Sequence, residues 1–218
     1  MKSALVVGSS GLVGSHLLKF LLESGYYSNV SVLVRKPVQF THPKLTVHLV
    51  DFDFLDKFRS SIVGDDIFCC LGTTIKTAGS QYAFYKVDYE YPAAIARIAK
   101  ENGAASFSLI SAMGANKKSS IFYSRVKGEI EFAVSEIGFE KVLIYRPSLL
   151  LGERNEFRFG EKIGSLLSPL INFFLIGALK KYKPVQAEIV AKSMYQHAVS
   201  NQNGTFIIES DKIQDTGK

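Results

Sequence analysis

The chain opens with a short apolar run that stops at a glycine, and two more glycines follow at three-residue spacing. Residues 4–7 are Ala-Leu-Val-Val, Gly8 ends the run, and Gly11 and Gly14 lead into an amphipathic stretch over 12–23. This order predicts a strand, a tight turn and a helix whose first N–H groups face an anion. Gly8 would permit the turn, Gly11 would leave room for a pyrophosphate, and Gly14 would let the helix pack close to the strand. A turn without a ligand is the weaker alternative, because it needs one glycine rather than three.

Apolar runs and helical patterns alternate along the rest of the chain. The pattern predicts strands over 4–7, 30–34, 45–50, 66–70, 106–110 and 142–145, and helices over 12–23, 81–102, 121–137 and 187–200. It also predicts a short helix over 52–60, a late edge strand over 205–208 and a fraying polar end over 210–218. Such alternation indicates an α/β fold, a doubly wound parallel sheet of the Rossmann type. We expect one domain over 1–218, with a small substrate-side lid at 153–183.

Composition and charge restrict which binding partners and which cellular location we expect for the protein. The formal net charge is +6, but the basic residues are scattered, so we expect no nucleic acid as partner. Cys69 and Cys70 are adjacent in an apolar stretch, where a strand would point them to opposite faces. We expect buried free thiols in a reducing, cytoplasmic environment. There is no signal peptide pattern, and the histidines lack the spacing of a metal site, so no metal is expected.

The most hydrophobic segment, 163–179, is slightly short for a membrane span and contains serines, a proline and an asparagine. We expect buried or lid helices there and no integral membrane segment. A contact in a homodimer or with a membrane surface is the alternative for this stretch.

The ends of the predicted strands hold candidate cofactor-binding residues. Arg35 stands after the second strand, where an NAD site usually has an acid, and a guanidinium there favours the 2′-phosphate of NADP(H). Hydroxyl groups of Ser9 and Ser10 could bind the same phosphate. The remaining candidates comprise the rest of the glycine loop, the end of strand three and the end of strand four: Leu12, Val13, Asp51, Phe52, Leu71, Gly72 and Thr73.

Two of these groups have an ordinary structural alternative. Asp51 could accept from the adenine amino group and Phe52 could cover the ring, but an aspartate after a strand is also common turn chemistry. Gly72 could let the backbone approach the cofactor while Thr73 reaches ribose or phosphate. A glycine turn with threonine caps explains the same residues nearly as well.

A serine, a tyrosine and a lysine form the candidate catalytic set. Ser111 ends the fifth predicted strand, and Tyr123 and Lys127 lie one turn apart on one face of the helix predicted over 121–137. An ammonium group close to a phenol favours the phenolate, so such a pair can exchange a proton near neutral pH. Tyr123 would then give a proton to a carbonyl oxygen as a hydride arrives, while Ser111 steadies that oxygen and Lys127 holds the nicotinamide ribose.

These motifs resemble the short-chain dehydrogenase/reductase superfamily in its extended or atypical branch. The segments at 69–74 and 126–131 are similar, more narrowly, to the Tat-interacting oxidoreductase-like proteins and their bacterial relatives, and the likeness covers about residues 3–200. The resemblance implies a Rossmann fold with NADPH, with Arg146 and Pro147 in the segment that approaches the nicotinamide. It carries the serine, tyrosine and lysine roles onto Ser111, Tyr123 and Lys127. One departure is Asp88, where many relatives have an asparagine that organises a proton-relay water.

These observations favour an NADPH-dependent oxidoreductase acting on a small carbonyl substrate. A non-catalytic NADP-binding regulator is the alternative, although a pure binder has no need for Tyr123. A nucleotide-sugar epimerase comes third, because only about 65 residues follow the sixth strand and leave little room for a sugar-nucleotide domain.

Overall fold

Parallel strands alternate with helices in the computed structural model of the chain, which describes residues 1–152 and 177–217. The strands of the main sheet are β1 (Lys2–Val7), β2 (Tyr27–Val34), β3 (Leu45–Leu49), β4 (Asp66–Cys69), β5 (Ser106–Ile110), β6 (Lys141–Arg146) and β9 (Gly204–Glu209). They lie in the order β3-β2-β1-β4-β5-β6-β9, and every neighbouring pair is parallel. This confirms the doubly wound Rossmann sheet, and β9 is the predicted late edge strand.

The strand order reverses between β1 and β4. Val7, the last residue of β1, is in register with Leu33 of β2 on one side and with Cys69 of β4 on the other. The chain therefore leaves β1 at Gly8, at the switch point where ligands bind in sheets of this type.

The helices cover both faces of the sheet. They are α1 (Leu12–Glu23), α2 (Ile75–Ala78), α3 (Gln81–Tyr85), α4 (Tyr91–Glu101), α5 (Phe122–Glu136), α6 (Ala187–Ala198) and α7 (Ser210–Thr216), with 3-10 helices at Phe52–Ser61 and Gly177–Tyr182. Two short strands, β7 (Leu150–Leu151) and β8 (Val185–Gln186), form a separate parallel pair.

The side chains of β1 alternate between two hydrophobic cores, one on each face of the sheet. Ala4 and Val6 belong to the core that α1 and α6 cover, whereas Leu5 and Val7 belong to the core that α4 and α5 cover. All four are buried, as expected for the central strand of a sheet with helices on both faces.

The helix predicted over 81–102 is not α-helical throughout. A π-helical segment, Lys86–Glu90, separates α3 from α4, and the Tyr91 N–H donates to the Lys86 carbonyl five residues earlier. The physical cause is Pro92, which has no N–H for an α-helical bond and whose ring would clash with the carbonyl of Asp88. The wider turn accommodates the proline without ending the helix.

The prediction that residues 210–218 fray is wrong for 210–216, which form α7. Ile213 and Ser210 are fully buried, and Gln214 donates to the Lys183 carbonyl at 3.2 Å. Ile213 packs into the core that α1 and α6 cover, and this contact helps to anchor an otherwise polar segment. Of the predicted lid, residues 153–176 lie outside the described residues, as does most of the apolar segment 163–179, while 177–182 form a 3-10 helix.

Both cysteines are free thiols, and burial raises the pKa of Cys69 to about 12. Within the described ranges, no helix is long and apolar enough to cross a bilayer.

Candidate functional site

The glycine turn after β1 has the close contacts that its spacing predicts. Gly8 has a φ of 84°, and a Cβ on it would lie 2.7 Å from the Cys70 carbonyl oxygen. A Cβ on Gly14 would overlap the Gly8 carbonyl oxygen, so α1 packs directly against the turn. Gly11 is the N-cap of α1 and has no side chain to cover the helix end. The first N–H groups of a helix have no partner within it, so this turn fits a dinucleotide pyrophosphate.

The other loop residues divide between backbone and side-chain roles. The side chains of Leu12 and Val13 are buried in the core, so these two residues can offer a ligand only their backbone N–H groups. Ser9 is buried and Ser10 is exposed, and both line a cleft of about 460 Å³ between α1 and the segment after β2. Arg35 is exposed directly after β2, beside the turn because β2 neighbours β1.

Asp51 has the turn chemistry that the sequence left open as its structural alternative, and Phe52 follows it in a buried position. Asp51 Oδ1 accepts the Asp53 N–H at 2.9 Å and caps the 3-10 helix Phe52–Ser61. Phe52 is buried, with its ring 5.4 Å from that of Tyr91. Their contact with adenine stays a prediction.

The chain after β4 reaches the candidate catalytic lysine. Gly72 is exposed, and a Cβ on it would lie 3.5 Å from Asp88 Oδ1 and 3.8 Å from Lys127 Nζ. The Thr73 N–H donates to Asp88 Oδ2 at 2.9 Å. Leu71 packs against the core that α4 and α5 cover. The structure therefore brings Gly72 and Thr73 together with Lys127, while Arg35 and Asp51 lie at the ends of other strands.

Lys127 is buried and ion-paired. Its Nζ lies 2.7 Å from Asp88 Oδ1, and the two side chains are 6% and 0% exposed. Burial alone would lower the pKa of Lys127, but the Asp88 carboxylate and the Tyr123 phenol outweigh that effect and raise it. Tyr123 lies one turn before Lys127 on α5, and its ring is 5.5 Å from that of Phe84.

Ser111 belongs to a second polar network. Its hydroxyl donates to Glu131 Oε1, and Glu131 lies one turn after Lys127 on the same face of α5. Arg146 donates to both oxygens of Glu131, from Nε at 3.0 Å and from Nη2 at 2.6 Å, and from Nη1 to Glu209 at 3.1 Å. The hydroxyl expected to face a substrate is therefore directed at a carboxylate.

Arg146 and Pro147 have structural contacts that the sequence did not predict. The Arg146 guanidinium lies between two carboxylates, and Glu131 is the main cause of its raised pKa. Pro147 is buried, and its carbonyl accepts the Met113 N–H at 3.1 Å. Their contact with a cofactor stays a prediction.

Glu131 was not predicted from the sequence, and the sequence drew attention to Asp88 only as the residue that replaces an asparagine of many relatives. The spacing Tyr123, Lys127, Glu131 was a usable signal for Glu131, since residues four apart share a helix face. In the part of the chain that the structure describes, no group of three or more His, Cys, Asp or Glu could hold a metal ion.

The sequence over residues 8–135 matches the family described as NAD(P)H-binding. The matched stretch contains the glycine turn, Gly72 and the pair Tyr123 and Lys127. The chain belongs to this family. The cofactor class predicted from the glycine turn is thereby confirmed as NAD(P), without a distinction between NAD and NADP.

Full-length relatives confirm the narrower resemblance. Protein HTATIP2 of Rattus norvegicus is 39% identical over 224 residues, which cover 100% of this chain and 90% of the rat protein. Protein FMP52, mitochondrial, of Candida albicans is 32% identical over 97% of this chain and 93% of its own length. The solved structure of MoeE5 in complex with UDP-glucose and NAD has a TM-score of 0.70 at 15% identity, over 94% of this chain and 75% of that one. The last likeness establishes the shared Rossmann fold.

The predicted cytoplasmic location is wrong by the same comparison. FMP52 of Candida albicans and further fungal relatives are named as mitochondrial proteins. The prediction relied on free cysteines, and these do not report the compartment. Burial raises the pKa of both thiols, which keeps them protonated.

Proposed function

We propose that this NAD(P)H-binding protein is an NADPH-dependent oxidoreductase that reduces a small carbonyl compound, with Tyr123, Lys127 and Ser111 as its catalytic residues. The observation that carries the proposal is the buried Lys127 ammonium one helical turn from Tyr123, beside the exposed Gly72 at the end of β4. A protein that only bound a dinucleotide would not need a phenol at this position.

The dinucleotide would lie across the switch point. The N–H groups at the start of α1 would bind the pyrophosphate over Gly11, and Ser9, Ser10 and Arg35 would bind the adenosine end. Lys127 would hold the nicotinamide ribose hydroxyls at the other end. When bound, the reduced nicotinamide supplies a hydride to the carbonyl carbon of the substrate.

The chain's own residues manage the proton. Tyr123 would donate its phenolic proton to the carbonyl oxygen, so that the C=O group becomes an alcohol. The Lys127 ammonium would stabilise the negative charge left on the phenol oxygen. Ser111 would steady the substrate oxygen by turning its hydrogen away from Glu131, whose carboxylate keeps its bonds to Arg146.

Replacement of Tyr123 by Phe tests the proton transfer. General acid catalysis typically contributes about 10²–10⁴-fold, so turnover by Tyr123→Phe should fall by roughly that factor while NADPH binding is retained. The assay follows NADPH absorbance against aldehydes, ketones and quinones. Tyr26→Phe is the matched control, because Tyr26 precedes β2 at the opposite edge of the sheet.

The outcomes separate enzyme from regulator. A parent protein that binds NADPH yet reduces nothing across the panel would favour a non-catalytic NADP-binding regulator. A Tyr123→Phe variant as active as the parent would leave an enzyme with a different proton donor.

The preference for NADPH over NADH rests on Arg35, exposed after β2 where an acid would recognise a ribose 2′-hydroxyl. A charge-assisted hydrogen bond is worth about 1.5–3 kcal/mol, so Arg35→Ala should weaken NADPH binding by roughly 10- to 100-fold. NADH is the internal control and should bind the variant and the parent alike. Equal affinity of the unmodified protein for both cofactors would remove the preference from the proposal.

A further inference from the structure

The buried carboxylate of Asp88 forms an ion pair with Lys127, the candidate catalytic lysine. Asp88 Oδ1 lies 2.7 Å from Lys127 Nζ, and Asp88 Oδ2 accepts the Thr73 N–H at 2.9 Å. Each carboxylate oxygen thus has its own contact, one to the ammonium and one to the backbone after β4. Gly72, which has no side chain, lies beside the pair, and a Cβ on it would be 3.5 Å from Asp88 Oδ1 and 3.8 Å from Lys127 Nζ.

The π-helical segment Lys86–Glu90 places Asp88 in this position. A π turn contains an extra residue, so it rotates the side chains that follow relative to those of α3. Asp88 is 1% exposed, whereas Lys86 points outward to an ion pair with Asp53 at 2.7 Å. Such segments are rare and occur frequently at functional sites.

The surroundings of Lys127 make Asp88 the group that decides its charge. Burial opposes the ammonium, and the titratable groups that act on it are Asp88 from the π segment, Tyr123 from α5 and Cys69 from β4. Burial keeps the Cys69 thiol protonated, and Asp88 is the group whose carboxylate lies in ion-pair contact with Lys127 Nζ. The Asp88 carboxylate therefore supplies the charge that balances the buried ammonium.

We propose that Asp88 is a positioning residue, which keeps the Lys127 ammonium charged and fixed under Gly72 so that its remaining N–H donors stay available to the cofactor. The inference rests on the cofactor contact of Lys127 in the proposed function. It differs from a proton-relay role, because Asp88 acts through Lys127 and touches neither cofactor nor substrate.

The test is the pH dependence of NADPH affinity, measured by fluorescence titration from about pH 7 to about pH 9.5. Asp88→Asn keeps the shape of the side chain and an acceptor for the Thr73 N–H but removes the charge. The affinity of the parent should change little over this range. The affinity of Asp88→Asn should be near the parent's at the low end and roughly 10-fold weaker at the high end, because an unpaired buried lysine loses its proton.

Lys127→Met is the matched control and should bind NADPH weakly at every pH. A flat affinity for Asp88→Asn together with a weakened Lys127→Met would overturn the Asp88 inference alone. Unchanged affinity for Lys127→Met would instead overturn the cofactor contact of the proposed function. Neither readout needs a substrate.

A second variant covers the case in which Asp88→Asn does not fold. Asp88→Glu keeps the carboxylate on a longer arm, so its affinity should stay independent of pH and within about 10-fold of the parent. Loss of affinity with rising pH in Asp88→Glu would overturn the inference.

Discussion

Two buried aspartates at opposite ends of the sheet show how location decides what the same side chain does. Asp66 is the first residue of β4, at the end of the sheet where the strands begin. Its carboxylate accepts hydrogen bonds from the Tyr27 hydroxyl at 2.9 Å, the Ser106 hydroxyl at 2.6 Å and the Lys2 ammonium at 3.3 Å. Asp88 lies at the other end of the sheet, where the carboxyl ends of the strands meet, and forms an ion pair with Lys127. Both aspartates are 1% exposed, so burial alone does not separate them.

The partners make the difference. Asp66 accepts hydrogen bonds from the buried hydroxyl groups of Tyr27 and Ser106. Its lysine partner, Lys2, has a side chain that is 39% exposed. Burial and the nearby Asp66 carboxylate raise the pKa of Tyr27 far above its usual value, so Tyr27 remains a neutral donor. Asp88 instead balances a buried charge, that of Lys127, at the end of the sheet where we propose that the dinucleotide binds. The first cluster satisfies buried hydroxyl groups in the core, and the second holds the lysine that we propose binds the cofactor.

Two buried serines repeat this contrast. Ser106 begins β5 and donates to Asp66, whereas Ser111 follows β5 at its other end and donates to Glu131. The two serines lie at opposite ends of β5: the Ser106 hydroxyl has a structural contact, and the Ser111 hydroxyl is a candidate catalytic group.

The largest expected effect on stability is at Asp66. Asp66→Asn removes the charged acceptor shared by Tyr27, Ser106 and Lys2, and should lower the free energy of unfolding by about 2–4 kcal/mol in urea. Its NADPH affinity should match the parent's from about pH 7 to about pH 9.5, unlike that of Asp88→Asn. A pH-dependent affinity in Asp66→Asn would show that the two clusters are not separate.

A smaller effect should distinguish the two ends of α1. Gly14 lies in the first turn of α1, beside the glycine turn, and a Cβ there would overlap the Gly8 carbonyl, so Gly14→Ala should cost about 1–3 kcal/mol and weaken NADPH binding. Gly25 follows the helix at its other end, with no atom within 4 Å of an added Cβ. Gly25→Ala should change stability by less than about 0.5 kcal/mol and leave binding intact. Equal losses in the two variants would mean that the turn has no special role.

The last comparison concerns the two buried serines. Ser106→Ala and Ser111→Ala each remove one hydrogen bond to a buried carboxylate and should each cost about 1.5 kcal/mol, the low end for a bond to a charged group, because each carboxylate keeps other donors. Only Ser111→Ala should also reduce turnover, by up to roughly 100-fold if the hydroxyl steadies the substrate oxygen. Parallel measurements of urea unfolding and NADPH oxidation compare the two. If turnover falls equally in both, Ser111 has no role beyond packing.

Local patterns made much of the fold and part of the site predictable. The turn at Gly8, the start of α1 and the spacing of Tyr123 and Lys127 all depend on residues close together in the chain. The discontinuity of the helix over 81–102 was less visible, although Pro92 carried the signal. The anchoring of α7 by Ile213 depends on a distant helix, so the polar sequence of 210–218 did not reveal it.

The sequence by itself determined the order of strands and helices and the glycine turn, and it supplied the candidate residues for proton exchange and phosphate binding. Periodicity and backbone sterics act within a few residues, so these features can be read along the chain. The tertiary structure decided which charges meet: Asp88 lies 39 residues before Lys127, and Arg146 lies 15 residues after Glu131. A buried charge needs a partner from whatever element packs against it, and only the folded sheet brings those elements together.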